Sequence, residues 1–241
     1  MSEKWEDIGI VIGTRKYADH DLIVTILTQD HGRHLGLIKG GRGRKMRGVI
    51  QPGNILQAKW RARLNEHLGS YVCEPQELFA PEIMLCKIKL IELGSLCAML
   101  NLVLPEREPH KFIYDLTYHL IKNLGSNTWY AEYVICEHLL LKALGFGLDL
   151  VSCAATGQTE ELIYVSPKSA RAVSKQGGAA YKDRLLPLPN FLKTQHCHDI
   201  PTDDILNGLK LTGYFLSQNL LQPYNKKLPA GRENLINLIS N

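Results

Sequence analysis

The alternation of side chains in residues 55–64 constrains the fold of this chain more than any other pattern. Successive residues of a β-strand point to opposite faces. One face would carry Leu56, Ala58, Trp60, Ala62 and Leu64, and the other Gln57, Lys59, Arg61 and Arg63. The pattern predicts a strand whose apolar face, including Trp60, packs into a core. Its opposite face would present a row of cations about 7 Å apart.

Further β-type segments surround this strand in the first 80 residues. They cover residues 8–13, 22–27, 35–38 and 70–74. Turns separate them: Asp19, His20 and Asp21 fit a hairpin or loop entry better than a catalytic cluster, and Pro52-Gly53 marks another turn. Five short strands with one basic connection predict a small barrel or a twisted antiparallel sheet.

From Pro81 onwards the pattern becomes helical. Helices are predicted for residues 81–104, 109–124, 127–144, 202–221 (with Thr202 or Asp203 as the cap) and 232–239. Residues 148–200 are irregular apart from a predicted strand at 162–165. The sequence therefore predicts an α+β protein with a β domain at 1–80 and a helical domain at 81–241.

The apolar stretch 83–104 contains Lys87, Lys89 and Glu92, which favours a buried helix over a membrane span. The first ten residues lack the pattern of a signal peptide. We therefore expect a soluble, cytoplasmic protein with no membrane partner.

Charge is distributed unevenly along the chain. Between His31 and Asn65 there is no aspartate or glutamate, so this segment has a formal charge of +9 and the remainder −5. Its basic residues are Arg33, Lys39, Arg42, Arg44, Lys45, Arg47, Lys59, Arg61 and Arg63. A field of one sign suits a polyanion, although such a run can also be only a solvated surface.

The cations at 39–48 alternate with Gly40, Gly41, Gly43 and Gly48. Glycines would keep this loop pliable and let its backbone approach a phosphate chain. We predict nucleic-acid binding dominated by phosphate contacts, with little sequence specificity. Base stacking is only weakly indicated: Trp60 is assigned to the core, and Tyr71 is a possible platform.

Metal-binding and catalytic motifs are absent from the sequence. None of the six cysteines has a partner at Cys-x2-Cys spacing, and Thr156 stands where Cys153 would need one. We therefore expect reduced thiols. No nucleotide-binding loop, nucleophile elbow or zinc-protease motif occurs. We predict no metal, no cofactor and no enzyme activity. A metal-dependent hydrolase using His196, Cys197 and His198 is an alternative, as is a passive binder of single-stranded DNA or RNA.

Several runs of residues resemble the RecO family of bacterial recombination mediators. They are Leu140-Leu-Lys-Ala-Leu-Gly-Phe-Gly-Leu-Asp-Leu, Cys153 to Gly157, Leu162-Ile-Tyr-Val-Ser-Pro-Lys-Ser, Gly13-Thr-Arg-Lys-Tyr, Asp19-His-Asp-Leu-Ile and Gly36-Leu-Ile-Lys-Gly-Gly-Arg. Their order and spacing extend the likeness over nearly the whole chain.

The resemblance implies an N-terminal OB-fold β-barrel and a C-terminal helical domain. This helical domain would carry an irregular, zinc-finger-like insert at about 148–200, in which only Cys153 matches the four-cysteine pattern of zinc-binding members. The insert would then be held by packing and hydrogen bonds. Arg15, in the matched N-terminal run, joins the nine basic residues as a candidate DNA contact.

The resemblance also implies a function and a set of partners. The protein would bind single- and double-stranded DNA, anneal complementary strands and, with RecR, help load RecA onto DNA coated by the single-stranded-DNA-binding protein SSB. The acidic C-terminal tail of SSB would need an apolar groove rimmed by cations. Lys142, Lys168 and Arg171 are candidate rim residues.

Overall fold

Within residues 3–240, which a computed structural model describes, the N-terminal strands close into a barrel. The strands are β1 (Glu3–Tyr17), β2 (Asp21–Thr28), β3 (Gly32–Ile38), β4 (Ile55–Ala62) and β5 (Ser70–Glu77). Their order around the barrel is β1-β2-β3-β5-β4. Neighbours are antiparallel except β3 and β5, which are parallel and share the single register pair Leu37 and Ser70. This confirms the predicted OB-like barrel.

Strand β1 closes the barrel because it pairs with two neighbours in succession. Residues 3–10 pair with β4, and residues 9–17 pair with β2 across an irregularity between Val11 and Gly13. The strand is more than twice as long as predicted. Gly9 lies where β1 pairs with both neighbours. A Cβ at this position would lie 2.2 Å from Cγ2 of Ile26, so only glycine lets the strands approach this closely.

The predicted alternation in β4 is confirmed as far as Ala62. Leu56, Ala58 and Trp60 are buried in the barrel core, and Lys59 and Arg61 are exposed. The strand ends at Ala62, however, so Leu64 is 47% exposed and Arg63 lies beyond the paired backbone. The prediction that these two residues continue the faces of the strand is wrong.

An aromatic cluster fills one part of the barrel core. Trp5 stacks on His31 at 4.1 Å and lies 5.7 Å from the parallel ring of Trp60. Tyr71 is 4% exposed and meets Trp5 edge-on, so it belongs to the core and not to a stacking surface as predicted. His34 sits among these rings, and its Nδ1 lies 3.0 Å from the carbonyl oxygen of Leu35.

Burial in this cluster lowers the pKa of His34 to about 4. The unfolded chain, with a histidine pKa near 6.5, binds a proton more readily than the folded chain between these two values. The stability that a neutral His34 contributes is therefore present above pH 6.5 and is lost as the pH falls towards 4.

We expect the free energy of unfolding of the barrel to fall by about 2 kcal/mol between pH 7 and pH 5 because of His34. In His34→Phe, which keeps a ring in the cluster, this decrease should become smaller. Urea unfolding followed by tryptophan fluorescence measures both. An equally steep decrease in the variant would show that other groups cause it.

After the barrel, helical structure begins at Ala80, one residue before the predicted start at Pro81, and it does so in two pieces. Helix α2 (Ala80–Ile83) contains Pro81 in its first turn, and α3 (Lys87–Val103) follows after a break. Helix α4 (Lys111–Lys122) and α5 (Trp129–Ala143) lie inside their predicted ranges. The short α1 (Arg44–Arg47) precedes them within the basic segment. None of the helices in the described chain has the length and apolar character required to cross a bilayer.

The chain forms two compact units that divide between Gly125 and Ser126, whereas strands give way to helices earlier, near residue 80. Side chains of α3 and α4 bond to the barrel, which accounts for this boundary. Nδ2 of Asn101 donates to the carbonyl oxygen of Ile12 at 2.6 Å, and the Tyr118 hydroxyl donates to Glu77 at 2.6 Å.

The C-terminal unit consists of helices and a small sheet. Its further elements are β6 (Leu162–Val165), β7 (Ala172–Ser174), α6 (Lys175–Gly178), a 3-10 turn (Ala179–Arg184), β8 (Leu186–Pro187), α7 (Phe191–Thr194), α8 (Thr202–Phe215), a π-helical turn (Leu216–Leu221), a 3-10 turn (Gln222–Tyr224) and α9 (Ala230–Ser240). The predicted strand at 162–165 is confirmed. Helix α8 begins at Thr202 without the predicted side-chain cap.

A buried ion pair holds α5, α8 and α9 together. Nε of Arg232 donates to Glu137 at 2.7 Å, and its Nη2 donates to the carbonyl oxygen of Leu209. The Thr212 hydroxyl donates to the same carboxylate at 2.5 Å. A Cβ on Gly213 would come within 2.9 Å of the guanidinium, so glycine leaves the space that Arg232 needs.

Removing one member of this pair leaves the other charge buried. Arg232→Met should lower the free energy of unfolding of the C-terminal unit by about 3–5 kcal/mol. The double variant with Glu137→Leu should recover most of that loss, because no uncompensated charge remains. Urea denaturation followed by circular dichroism compares them. A double variant that is less stable than Arg232→Met would contradict this account.

Candidate nucleic-acid interface

The segment between β3 and β4 is folded back onto the barrel and carries most of the predicted cations. Met46 of α1 and Val49 pack against the barrel core. The buried side chain of Asn54 donates from Nδ2 to the carbonyl oxygens of Gly48 and Val49, at 3.0 and 2.9 Å, and accepts from the amide of Ala80. These contacts fix where α1 lies.

Hydrogen bonds also join this segment to the turn between β1 and β2. The amide of Gly40 donates to Asp21 at 2.8 Å, and the amide of Arg42 donates to the carbonyl oxygen of His20 at 3.0 Å. Nη1 of Arg42 donates to the carbonyl oxygen of Asp19. Positive φ at Gly40 permits the turn. The segment is thus a bonded turn followed by one turn of helix, and not the pliable loop predicted.

The single turn of α1 places two of its cations, Lys45 and Arg47, on opposite sides of the helix. Residues two apart in an α-helix are rotated by about 200°. Lys45 and Arg47 are related in this way, and Met46 between them packs against the core. Each of these cations lines a different groove.

The first groove has a volume of about 620 Å³ and lies beside β5. Three cations line it in the described structure: Lys39, Lys45 and Arg61. Ile38, Met46 and Val49 supply apolar lining, and Glu74 is the acidic residue there. The groove can therefore accept an anionic chain that also carries apolar groups.

The second groove, of about 470 Å³, lies beside the end of β1. Its cations are Lys16, Arg42 and Arg47, and its polar lining includes Thr14 and Gln51. Aspartate and glutamate are absent from the described residues that line it. Sequence reasoning missed Lys16, which lies outside the acid-free window, although it belongs to the matched run at residues 13–17.

The other predicted contacts do not lie in these grooves. Arg15 and Arg44 are exposed on β1 and α1, and Arg63 is exposed beyond the end of β4. Lys59 forms an ion pair with Glu6 at 3.4 Å, so the cationic row on β4 is partly neutralised. Arg61 on the same strand, which lines the first groove, remains exposed, with its Nε 3.4 Å from the hydroxyl of Ser70.

Arg33 differs from the rest because its side chain is only 14% exposed. Its Nε donates to the carbonyl oxygen of Leu104 at 2.8 Å, and its Nη2 lies 3.4 Å from Glu106. These bonds attach the barrel to the end of α3. The arrangement indicates a structural role for this arginine.

We therefore expect Arg33→Gln to lower the free energy of unfolding of the N-terminal unit by about 1–2 kcal/mol. Its affinity for DNA at a temperature where the protein is folded should stay within about twofold of the wild type. Thermal unfolding and fluorescence anisotropy measure the two quantities. Weakened binding by a fully folded variant would instead make Arg33 a DNA contact.

In the insert, hydrogen bonds surround the sulfur of Cys153. The amide of Ser174 donates to Sγ at 3.2 Å. Burial opposes ionisation of this thiol, but hydrogen bonds from Ser174, Thr156 and the backbone of Ala155 lower its pKa to about 6. All six cysteines are free.

The structure does not assemble a metal site from the described residues. In residues 3–240, no three His, Cys, Asp or Glu side chains are grouped so that they could hold a metal ion. The rings of His196 and His198 lie 5.6 Å apart.

The candidate rim residues of the helical domain are all exposed. Arg171 is bonded to Asp149, with Nε 3.1 Å from the carboxylate, and its Nη2 lies 3.4 Å from the hydroxyl of Ser152. Lys142 lies in the last turn of α5, and Lys168 follows β6.

Comparison with known proteins gives matches along nearly the whole chain. Residues 1–75 match the family model described as "Recombination protein O N terminal", and residues 88–229 match "Recombination protein O C terminal". "DNA repair protein RecO" of Bartonella quintana is 42% identical over 98% of this chain and 97% of its own length. Proteins with the same description from Methylocella silvestris and Methylorubrum extorquens are 44% and 45% identical, covering 95% and 98% of this chain and 93% and 98% of their own lengths.

Proposed function

Because the chain belongs to the RecO family of DNA repair and recombination proteins, we propose that its barrel binds the phosphate backbones of single- and double-stranded DNA. The observation that carries this proposal is the set of cations placed around α1. Lys39, Lys45 and Arg61 line one side, and Lys16, Arg42 and Arg47 line the other. Members of this family are recombination mediators and not enzymes, in agreement with the sequence prediction.

Phosphate contacts should dominate over the reading of bases. Trp60 and Tyr71 are buried in the core and cannot stack on a base without unfolding the barrel. Lysine and arginine contacts to phosphates release counterions, which makes binding strongly salt-dependent and largely independent of sequence. Arg15, Arg44, Lys59 and Arg63 would extend the cationic surface beyond the grooves.

Such a surface suits strand annealing. Complementary strands repel one another through their phosphates, and cations that neutralise both backbones lower this repulsion. In this proposal the protein anneals complementary strands in the bacterial cytoplasm, associates with the nucleoid when DNA-bound and, with RecR, helps load RecA onto SSB-coated DNA. Residues 1–80 would hold DNA, and residues 81–241 would receive partner proteins, with Lys142, Lys168 and Arg171 near the SSB tail.

Replacing Arg44, Lys45 and Arg47 together by glutamine tests DNA binding. All three are exposed, and glutamine retains helix propensity, so the fold should be kept. We expect weaker binding to every sequence and a salt dependence (log K against log salt concentration) that is less steep by about 2–3 units. Fluorescence titration with a labelled single strand at several salt concentrations measures this.

A matched control replaces Lys182, Lys226 and Lys227, which are exposed in the C-terminal unit, by glutamine. It removes the same net charge without touching the barrel. Equal losses in the two triple variants would mean that overall charge, and not the α1 surface, governs binding. Unchanged affinity and slope in the α1 variant would refute the proposal. A preference for RNA in competition would favour the alternative of an RNA-binding OB protein.

A further inference from the structure

The two grooves beside α1 are separate. None of the described residues lines both of them. The first is bounded by β5, the end of β3 and α1, whereas the second is bounded by the end of β1, the start of β2 and α1. The helix turn therefore stands between two surfaces that each carry three cations.

We propose that these two grooves hold two different DNA single strands at the same time, with α1 as the partition between them. This inference rests on the proposed DNA-binding function and specifies how annealing would use it. A single strand bound in one groove would leave the cations of the other groove available for a second backbone.

The lining of the grooves differs in a way that fits two unlike contacts. The first combines cations with Ile38, Met46 and Val49, which can receive the apolar faces of sugars or bases. The second has fewer apolar residues, Leu22 and Ile50, and its three cations lie beside Thr14 and Gln51, which favours contacts to phosphates. Glu74 lines the first groove and not the second. Its carboxylate would repel the phosphates of a DNA backbone that passed close to it.

Two contacts keep the cations of one groove apart from those of the other. The half-buried side chain of Met46 packs against the core and sets the rotation of α1, so Lys45 lines one groove and Arg47 the other. The bond from Arg42 to the carbonyl oxygen of Asp19 holds that guanidinium at the β1–β2 turn. With about three cations each, either groove would neutralise about three phosphates, so each strand is bound weakly and can exchange.

The test uses one variant for each groove and two labelled strands that are not complementary. Lys39→Gln with Lys45→Gln removes charge from the first groove, and Lys16→Gln with Arg47→Gln removes it from the second. All four residues are exposed. Arg42 is left intact because of its structural bonds. Energy transfer between the two strands reports that one protein holds both, and sedimentation confirms that the complex contains a single protein chain.

We expect the wild type to give energy transfer and each variant to lose it, while either variant still binds one strand. Annealing of complementary strands should slow by about tenfold in both, because each pair of substitutions removes about two phosphate contacts. Restoring charge with Lys39→Arg and Lys45→Arg should return energy transfer and annealing rate together.

Three results would overturn the inference. The first is loss of single-strand binding by either variant as complete as in the triple α1 variant, which would mean one continuous path for one strand. The second is energy transfer that survives in both variants. The third is energy transfer only with pre-formed duplex, which would assign the grooves to the two backbones of one double helix. Failure of the proposed function differs from all three, because the wild type would then bind no DNA.

Discussion

Closure of the barrel through β1 is the constraint on which the rest of the N-terminal unit depends. One strand pairs with β4 over its first half and with β2 over its second. The opposite side of the ring is weaker, since β3 and β5 share a single register pair. The first groove lies beside this short contact. The same topology that closes the barrel thus leaves an opening where an extended ligand can approach.

Core packing decides where the charges lie. Met46, Val49 and Asn54 anchor the connection between β3 and β4, and the exposed cations take their directions from these anchors. The acid-free segment is consequently several surfaces and not one. Arg33 attaches the barrel to α3, Lys59 is paired with Glu6, and the remaining cations surround α1 or flank the strands.

Much of this arrangement could be predicted from alternation and turn residues. The barrel strands, the burial of Trp60 and the main helices follow from local patterns that the structure preserves. The length of β1 was not predictable, because its outer half carries Lys4 and Glu6 and gains its strand structure from pairing with β4. Tyr71 was misplaced for a related reason: its burial results from contacts with Trp5 and His34, which lie far away in the sequence.

The candidate site was predicted by charge but not by geometry. Composition located the segment, yet it could not reveal that Glu6 neutralises Lys59 across two strands, or that Lys16 joins Arg42 and Arg47. The position of Met46 has a consequence for how such segments evolve. Exchanging residues 46 and 47 would leave the composition and the net charge of the segment unchanged. It would nevertheless turn an arginine towards the core and a methionine towards the solvent. Selection on this surface should therefore act on the order of residues within one helical turn, and homologues with equal charge can differ in function.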